Sequence, residues 1–305
     1  DQKLSQGSCF SALQNYIFYG PEFVAKTTLS NEQVLALTSD ELLQTVRDLF
    51  GKKHEILYYG PSDEASAKAM LASHHKIASG LQPLVREHPI HRQVASNEVY
   101  LAPYDANQFY YVQYSDRGEK FDVANDPSLT MYNNYFGSGM NAIVFQEMRE
   151  ARGLAYSARA SLNSPSYPDD DYMFYAFIAS QNDKLKDAVM EFDRIINEMP
   201  ESPEAFEVAK AAVLSQLRTR RTTGMSVLNE YLALRDLGLT EDRDRAVFEK
   251  VQNMTLADVK AFHEKWIKNR EYVYGFLGRE SDFDMDFVST LGPVTRLTLE
   301  EIFGY

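Results

Sequence analysis

The sequence predicts an α+β domain, a mainly antiparallel sheet with helices packed on one face. Three observations carry this. Aromatic and β-branched runs of strand length come early: NEVYLAPY (Asn97 to Tyr104), QFYYVQY (Gln108 to Tyr114), LAYSARASL (Leu154 to Leu162) and DYMFYAFIAS (Asp171 to Ser180). Helical stripes come later, the clearest being Leu185, Val189, Phe192, Ile196 and Met199, which step by four, three, four and three. One helix–strand unit also occurs twice. Strand pairs followed by helix pairs are the pattern of an α+β domain.

The repeat relates LTSDELLQTVRDLFGKKHEILYYG (Leu37 to Gly60) to MTLADVKAFHEKWIKNREYVYGFLG (Met254 to Gly278). Thr38 matches Thr255, Glu41 matches Asp258, Leu42 matches Val259, Phe50 matches Ile267, Lys53 matches Arg270 and Ile56 matches Val273. A one-residue slip then brings Gly60 onto Gly278. In each copy a Thr N-cap opens an amphipathic helix, a basic turn ends it, and an apolar run follows as a strand. Upstream, LQNY at Leu13 resembles LNEY at Leu228. The division expected is residues 1–62 as the tail of a preceding homologous α/β domain, 63–92 as a connector, and 93–305 as a complete domain. The connector is Ala- and Ser-rich, then punctuated by Gly80, Pro83 and Pro89, which reads as a few helical turns leading into extended chain.

Within 93–305 the first two runs, joined by Asp105-Ala106-Asn107, read as an opening hairpin. DPSLTMYNNYF follows as a helix with Asp126 at the N-cap and Pro127 at its first position. Gly137-Ser138-Gly139 breaks it, and Met140 to Ala151 forms a second helix ended by Gly153. LAYSARASL and DYMFYAFIAS are expected to be neighbouring strands. Ser202-Pro203 starts a helix running to about Thr222, Gly224 separates it from further helices, and Tyr272 to Leu277 is expected to close the sheet.

Composition bounds the function. Lys and Arg number 31 against 44 Asp and Glu, leaving a net charge of −13. Such a surface repels phosphate backbones, so nucleic acid is a poor partner. No window approaches the roughly 18 apolar residues of a membrane helix, so membrane insertion is not expected. A single cysteine, Cys9, excludes an internal disulfide and a multi-cysteine metal site, and leaves the compartment undecided. There is no signal peptide and residue 1 is Asp rather than Met, so a processed or excised piece is expected.

Self-contained catalysis is hard to find. None of His54, His74, His75, His88, His91 and His263 lies in H-E-x-x-H or H-x-x-E-H. Pro89 bars a regular helix between His88 and His91. His74 and His75 are adjacent, and on a helix they would point about 100° apart. The 137–139 run lacks the lysine of a phosphate loop. No serine or Cys9 has an acid–base pattern around it. The abundant Tyr and Phe are compatible with a peptide-gripping wall, though core packing is their commoner use.

One segment stands out: YFGSGMNAIVFQEMREARGLAYSARA, Tyr135 to Ala160. It resembles the motif of pitrilysin/insulinase family zinc metallopeptidase domains, in which a Gly-rich turn leads into a helix, then R-x-x-x-x-G/L-x-Y and a strand. The resemblance extends over about 210 residues of the second domain and to 1–60 as a domain end. It implies the carboxy-terminal, non-zinc-binding half of such an enzyme, inactive as an isolated chain. Zinc would be bound by the missing amino-terminal half, in the same polypeptide or a separate subunit, and peptide would be the substrate. It also implies that Arg149 and Tyr156, seven residues apart, serve as auxiliary residues in the shared active site. A guanidinium and a phenol aimed at a scissile carbonyl can stabilise a developing oxyanion; otherwise they are a helix-capping Arg and a sheet Tyr. Arg152 competes with Arg149 for the role but suits solvent or a carboxylate. Further readings are a non-catalytic scaffold or a peptide-binding relative of the same fold. For the compartment, the resemblance leans toward the bacterial periplasm.

Overall fold

The computed structural model describes residues 5–27, 29–84, 88–137 and 139–304. Ser138 of the expected glycine-rich break, and residues 85–87 of the connector, lie outside that range. The order of elements is α1 (Gln6–Tyr19), α2 (Pro21–Thr27), α3 (Asn31–Ala36), α4 (Ser39–Leu49), α5 (Glu64–His74), β1 (Glu98–Pro103), β2 (Gln108–Lys120), α6 (Asp126–Tyr132), α7 (Ile143–Phe145), β3 (Ser157–Asn163), β4 (Asp171–Gln181), α8 (Leu185–Glu198), α9 (Pro203–Thr219), α10 (Met225–Asp236), α11 (Arg243–Val251), α12 (Leu256–Trp266), β5 (Val273–Gly278), α13 (Met285–Thr290), β6 (Val294–Arg296) and α14 (Leu299–Phe303).

The strands form one sheet in the order β3-β4-β2-β5-β1-β6. The β2–β4, β2–β5 and β3–β4 pairings are antiparallel, while β1 runs parallel to both β5 and β6. The mixed α+β class is the one the sequence predicts. Two details differ. β1 and β2 are not a hairpin, because β5 lies between them, and β5 therefore fills the sheet rather than closing it. The reason is its composition: every residue of Val273–Gly278 is buried, and a strand apolar on both faces belongs in the interior of a sheet. The 105–107 link steps past the end of β5, where Tyr104 N donates to Gly278 O at 3.0 Å.

The larger core lies between the sheet and α6 to α9, α11 and α12. The α8 stripe is fully used: Leu185, Val189, Phe192, Ile196 and Met199 are all buried against it. Each such side chain contributes roughly 1.5–3 kcal/mol of gross transfer free energy, most of it offset by the entropy of ordering the chain. Asp126, expected as an N-cap, is instead the first helical residue of α6. It is buried and paired to Arg243, whose Nη2 lies 2.6 Å from Asp126 Oδ1. After α6 the chain continues as a wide, π-type turn over Asn133–Gly137.

A smaller core covers the opposite face, where α1 and α14 contribute Phe10, Leu13, Ile17, Ile302 and Phe303. α1 can approach because β5 carries Gly275; a Cβ there would lie 2.3 Å from Ile17 Cδ1 and 2.6 Å from Val112 Cγ1. Gln14 Nε2 also donates to Tyr175 Oη at 2.8 Å. The start of the expected 1–62 tail is thus a layer on the sheet of the following domain.

The repeat is visible at its helices. α4 is opened by Thr38 and Glu41, and α12 by Thr255 and Asp258, each pair forming a reciprocal capping box. The copies then diverge. Val273–Gly278 is a strand, whereas residues 54–59 form none, and an isolated bridge between Lys52 and Gln82 is the β-type pairing found nearby. α4 buries nothing either: Leu42, Leu43, Val46, Leu49 and Phe50 are all exposed.

Candidate functional site

Arg149 and Tyr156 stand on opposite sides of a tight helix-to-strand turn. α7 continues as a wide π-type turn over Gln146–Ala151, which places Arg149 in the last turn. Gly153 N donates to Arg149 O at 3.0 Å and Leu154 N to Met148 O at 2.8 Å, closing the helix end. Tyr156 N then donates to Ala179 O at 2.9 Å, which docks the chain on β4 at the point where β3 begins. Ser180 Oγ donates to Leu154 O and ties the loop to the same strand.

Both side chains are presented to solvent and line one cavity of about 360 Å³, shared with Leu154, Ser180, Gln181 and Lys184. Arg149 is 51% exposed; its Nε lies 3.7 Å from Glu150 Oε1, and its guanidinium sits 5.1 Å above the centre of the Phe145 ring. Tyr156 is 58% exposed and its Oη accepts from Gln181 Nε2 at 3.3 Å. A solvent-facing guanidinium held by a ring face and a loose carboxylate keeps most of its donors for a ligand. The phenol adds a donor without adding charge.

Arg152 is differently placed. Its Nε lies 2.8 Å from Glu191 Oε1 on α8, and its Nη2 lies 3.8 Å from Glu147 Oε2. Glu191, whose carboxyl is held below its ordinary range chiefly by hydrogen bonds from Arg194, is the anchor. Arg152 therefore fastens the helix end to α8. Lys184, Ser180 and Gln181 were not singled out in the sequence. They join the cavity through the β3–β4 register, in which Ser157 pairs with Ala179; a sequence carries that information only once the pairing is known.

The histidines do not converge. His54 Nε2 meets His75 Nε2 at 2.7 Å on the surface, His88 lies 3.4 Å from Asp169, and His91 lies 3.2 Å from Asp170. His263 is buried beside Tyr132 and Phe136. No group of three or more His, Cys, Asp or Glu suited to a metal occurs among the described residues, so the residues present do not fit a zinc site. No helix among the described residues is long and apolar enough to cross a membrane.

Residues 36–213 match the family model described as peptidase M16 inactive domain. The match covers more than half of the chain, and the chain belongs to this family, the carboxy-terminal half of the pitrilysin/insulinase peptidases. Among solved structures, a peptidase M16 inactive domain from Pseudomonas fluorescens is similar, with 15% identity, a TM-score of 0.64, and coverage of 91% of this chain and 66% of that one. A conserved protein from Enterococcus faecalis follows at 14% identity and TM-score 0.68, covering 92% and 65%. A protease from Helicobacter pylori follows at 10% and 0.58, covering 81% and 60%. At these identities the likeness is one of fold. The chain spans about two thirds or less of the length of each. No curated protein matches it.

Proposed function

We propose that this chain is the substrate-closing half of a zinc-dependent endopeptidase, with Arg149 and Tyr156 reaching the active site carried by an amino-terminal partner half. The observation that carries the reading is the shared cavity at the end of α7: two exposed donors, one charged and one neutral, on a rigid helix–strand turn. Zinc and the general base would come from the other half, since the histidines and carboxylates here do not gather. This chain's own part is to bind the peptide, orient its scissile carbonyl and supply donors to the oxygen on which charge develops. The exposed apolar face of α4 supports a second element of the reading, that the part of residues 1–62 beyond α1 and α2 completes a preceding domain of the same kind whose sheet covers that face.

The test is made in the complete two-half enzyme. Tyr156→Phe removes one donor and keeps the ring, and is expected to lower kcat by about 10²–10³, the cost of an oxyanion-type donor. Arg149→Ala is expected to be at least as damaging and Arg149→Lys to rescue it in part, because a point charge does not replace the guanidinium fork. Zinc content should stay at the wild-type level. If kcat is unchanged in both Tyr156→Phe and Arg149→Ala, the chain is a scaffold.

A further inference from the structure

The stretch from Ala179 to Lys184 grips the turn that carries Tyr156. Ala179 O accepts from Tyr156 N at 2.9 Å, Ser180 Oγ donates to Leu154 O, and Lys184 Nζ donates to Gly153 O at 3.4 Å. Those three contacts hold backbone. Gln181 holds the phenol oxygen itself: its Nε2 donates to Tyr156 Oη at 3.3 Å, and no other hydrogen bond to that oxygen occurs among the described residues. Both ends of the contact are mounted on the sheet. Gln181 is the last residue of β4 and pairs with Gln108 of β2, while Tyr156 immediately precedes β3, which pairs with β4.

The direction of that bond matters more than its strength. A phenol oxygen carries one proton and two lone pairs. With one lone pair filled by the Gln181 N–H, the phenol proton has to point elsewhere. Arg149 and Tyr156 line the same cavity, so the directions left to the hydroxyl include the space where a peptide carbonyl would meet the guanidinium. An N–H given to the phenol oxygen also polarises the O–H and makes it a stronger donor, since hydrogen bonds in a chain reinforce one another. A phenol free to rotate would spend part of its time presenting a lone pair to the substrate. A lone pair repels an oxygen on which negative charge develops, whereas a donor aimed in advance stabilises it without reorganisation.

We infer that Gln181 is a positioning residue for this site: it fixes Tyr156 as a donor, with the hydroxyl proton aimed into the Arg149 cavity. This rests on the assignment of Tyr156 to substrate binding. The chain of hydrogen bonds runs from the Gln181 amide to the phenol oxygen, and from the phenol proton to the substrate oxygen. No proton changes owner along it. Gln181 acts only through Tyr156, so its contribution exists only while the hydroxyl is there.

The experiment is a double-mutant cycle in the complete two-half enzyme, with kcat and KM measured separately. Gln181→Met keeps the length of the side chain and removes the donor. Its kcat is expected to fall about two- to tenfold, the range for one neutral hydrogen bond, with KM near wild type. Gln181→Glu keeps the shape and reverses the bond, because a carboxylate accepts from the phenol and gives it nothing; kcat should fall further, toward that of Tyr156→Phe. Both substitutions are then made together with Tyr156→Phe, where no hydroxyl remains to be aimed, and neither should lower kcat further. A role in packing, or a general effect of the added charge, would lower kcat with or without the hydroxyl. Equal losses in both backgrounds therefore overturn the inference, as does wild-type kcat in Gln181→Met and Gln181→Glu. So does a Gln181→Glu variant no worse than Gln181→Met, since the direction of the bond would then be irrelevant. The underlying assignment fails separately: if Tyr156→Phe alone keeps wild-type kcat, Tyr156 is not at the reacting carbonyl and Gln181 has nothing to position.

Discussion

Gly137 lies against the carbonyl of Ala160 so closely that a methyl group added to it would come within 1.6 Å of that oxygen. β3 is an edge strand, and this contact is part of how its edge is covered. Asn133 completes the cover: its Nδ2 donates to Leu162 O at 2.9 Å and its Oδ1 accepts from Leu162 N at 3.0 Å. The wide turn over Asn133–Gly137 thus takes the place of a neighbouring strand.

Gly137→Ala is therefore expected to cost about 1–3 kcal/mol, the range for overpacking a close contact. The obstacle is backbone and cannot rotate away. Thermal melting of the variant beside wild type measures it; an unchanged midpoint would mean that the turn and β3 part without penalty.

Arg117 is a charged residue placed in the main core. It is 6% exposed, and its guanidinium lies 5.4 Å from the ring centres of both Phe174 and Tyr272. No hydrogen bond of normal geometry reaches Nε, Nη1 or Nη2, and no ion pair to it is found among the described residues. Burial lowers its pKa. Arg117→Met keeps much of the volume and removes an unpaired buried charge, so it is expected to leave stability equal or raise it, on the order of 1 kcal/mol. Arg117→Lys loses the planar stacking and should destabilise. Denaturant midpoints decide; a large loss in Arg117→Met would reveal a polar partner.

Two buried groups give opposite pH dependence. His263 is buried with no normal hydrogen bond to either ring nitrogen, and burial pushes its pKa down to about 4. As pH falls from about 6.5 toward 4 the unfolded chain takes up a proton that the folded chain refuses, so stability is lost across that window. Asp116 is pushed up to about 6, chiefly by burial. Between about 6 and 4 the folded chain binds the proton more readily, so stability is gained as pH falls. His263→Leu should flatten the acid-side loss and Asp116→Asn should steepen it, measured as melting temperature against pH from 7 to 4. Parallel curves for the two variants would contradict both assignments.

The apolar face of α4 makes a prediction about the chain by itself. Leu42, Val46 and Leu49 recur at helical spacing and are exposed, a patch of the kind that drives association. Leu42→Glu with Val46→Glu should suppress self-association without lowering the melting temperature, because nothing in the described structure packs on them. Sedimentation and melting measure the two. A loss of stability would place α4 in the core.

What the sequence made legible was local. The N-caps at Thr38 and Thr255 and the α8 stripe depend on residues within four positions of each other, and they formed as read. The turn from Arg149 to Tyr156 was legible for the same reason. Asp105-Ala106-Asn107 misled because it has hairpin chemistry, while the true neighbour of β1 arrives 175 residues later, as Glu98 pairs with Val273. Ile56 to Tyr59 has strand composition but no strand forms, since pairing is a property of two segments. The second half of the cavity lining, Ser180 to Lys184, depends on register across β3 and β4, and a single sequence does not encode register visibly.

The insertion of β5 between β1 and β2 also sets a timetable. A ribosome that has made residues 98–181 has produced four of the six strands, yet β1 has no neighbour, because both strands it pairs with, β5 and β6, lie beyond residue 272. The sheet becomes continuous only when residues 273–296 have emerged. Long-range pairing of this kind makes for slow folding, and until then the apolar sides of β1 and β2 stand open to other chains. The segment from Val273 to Arg296 is thus the clasp that lets the earlier strands become one sheet.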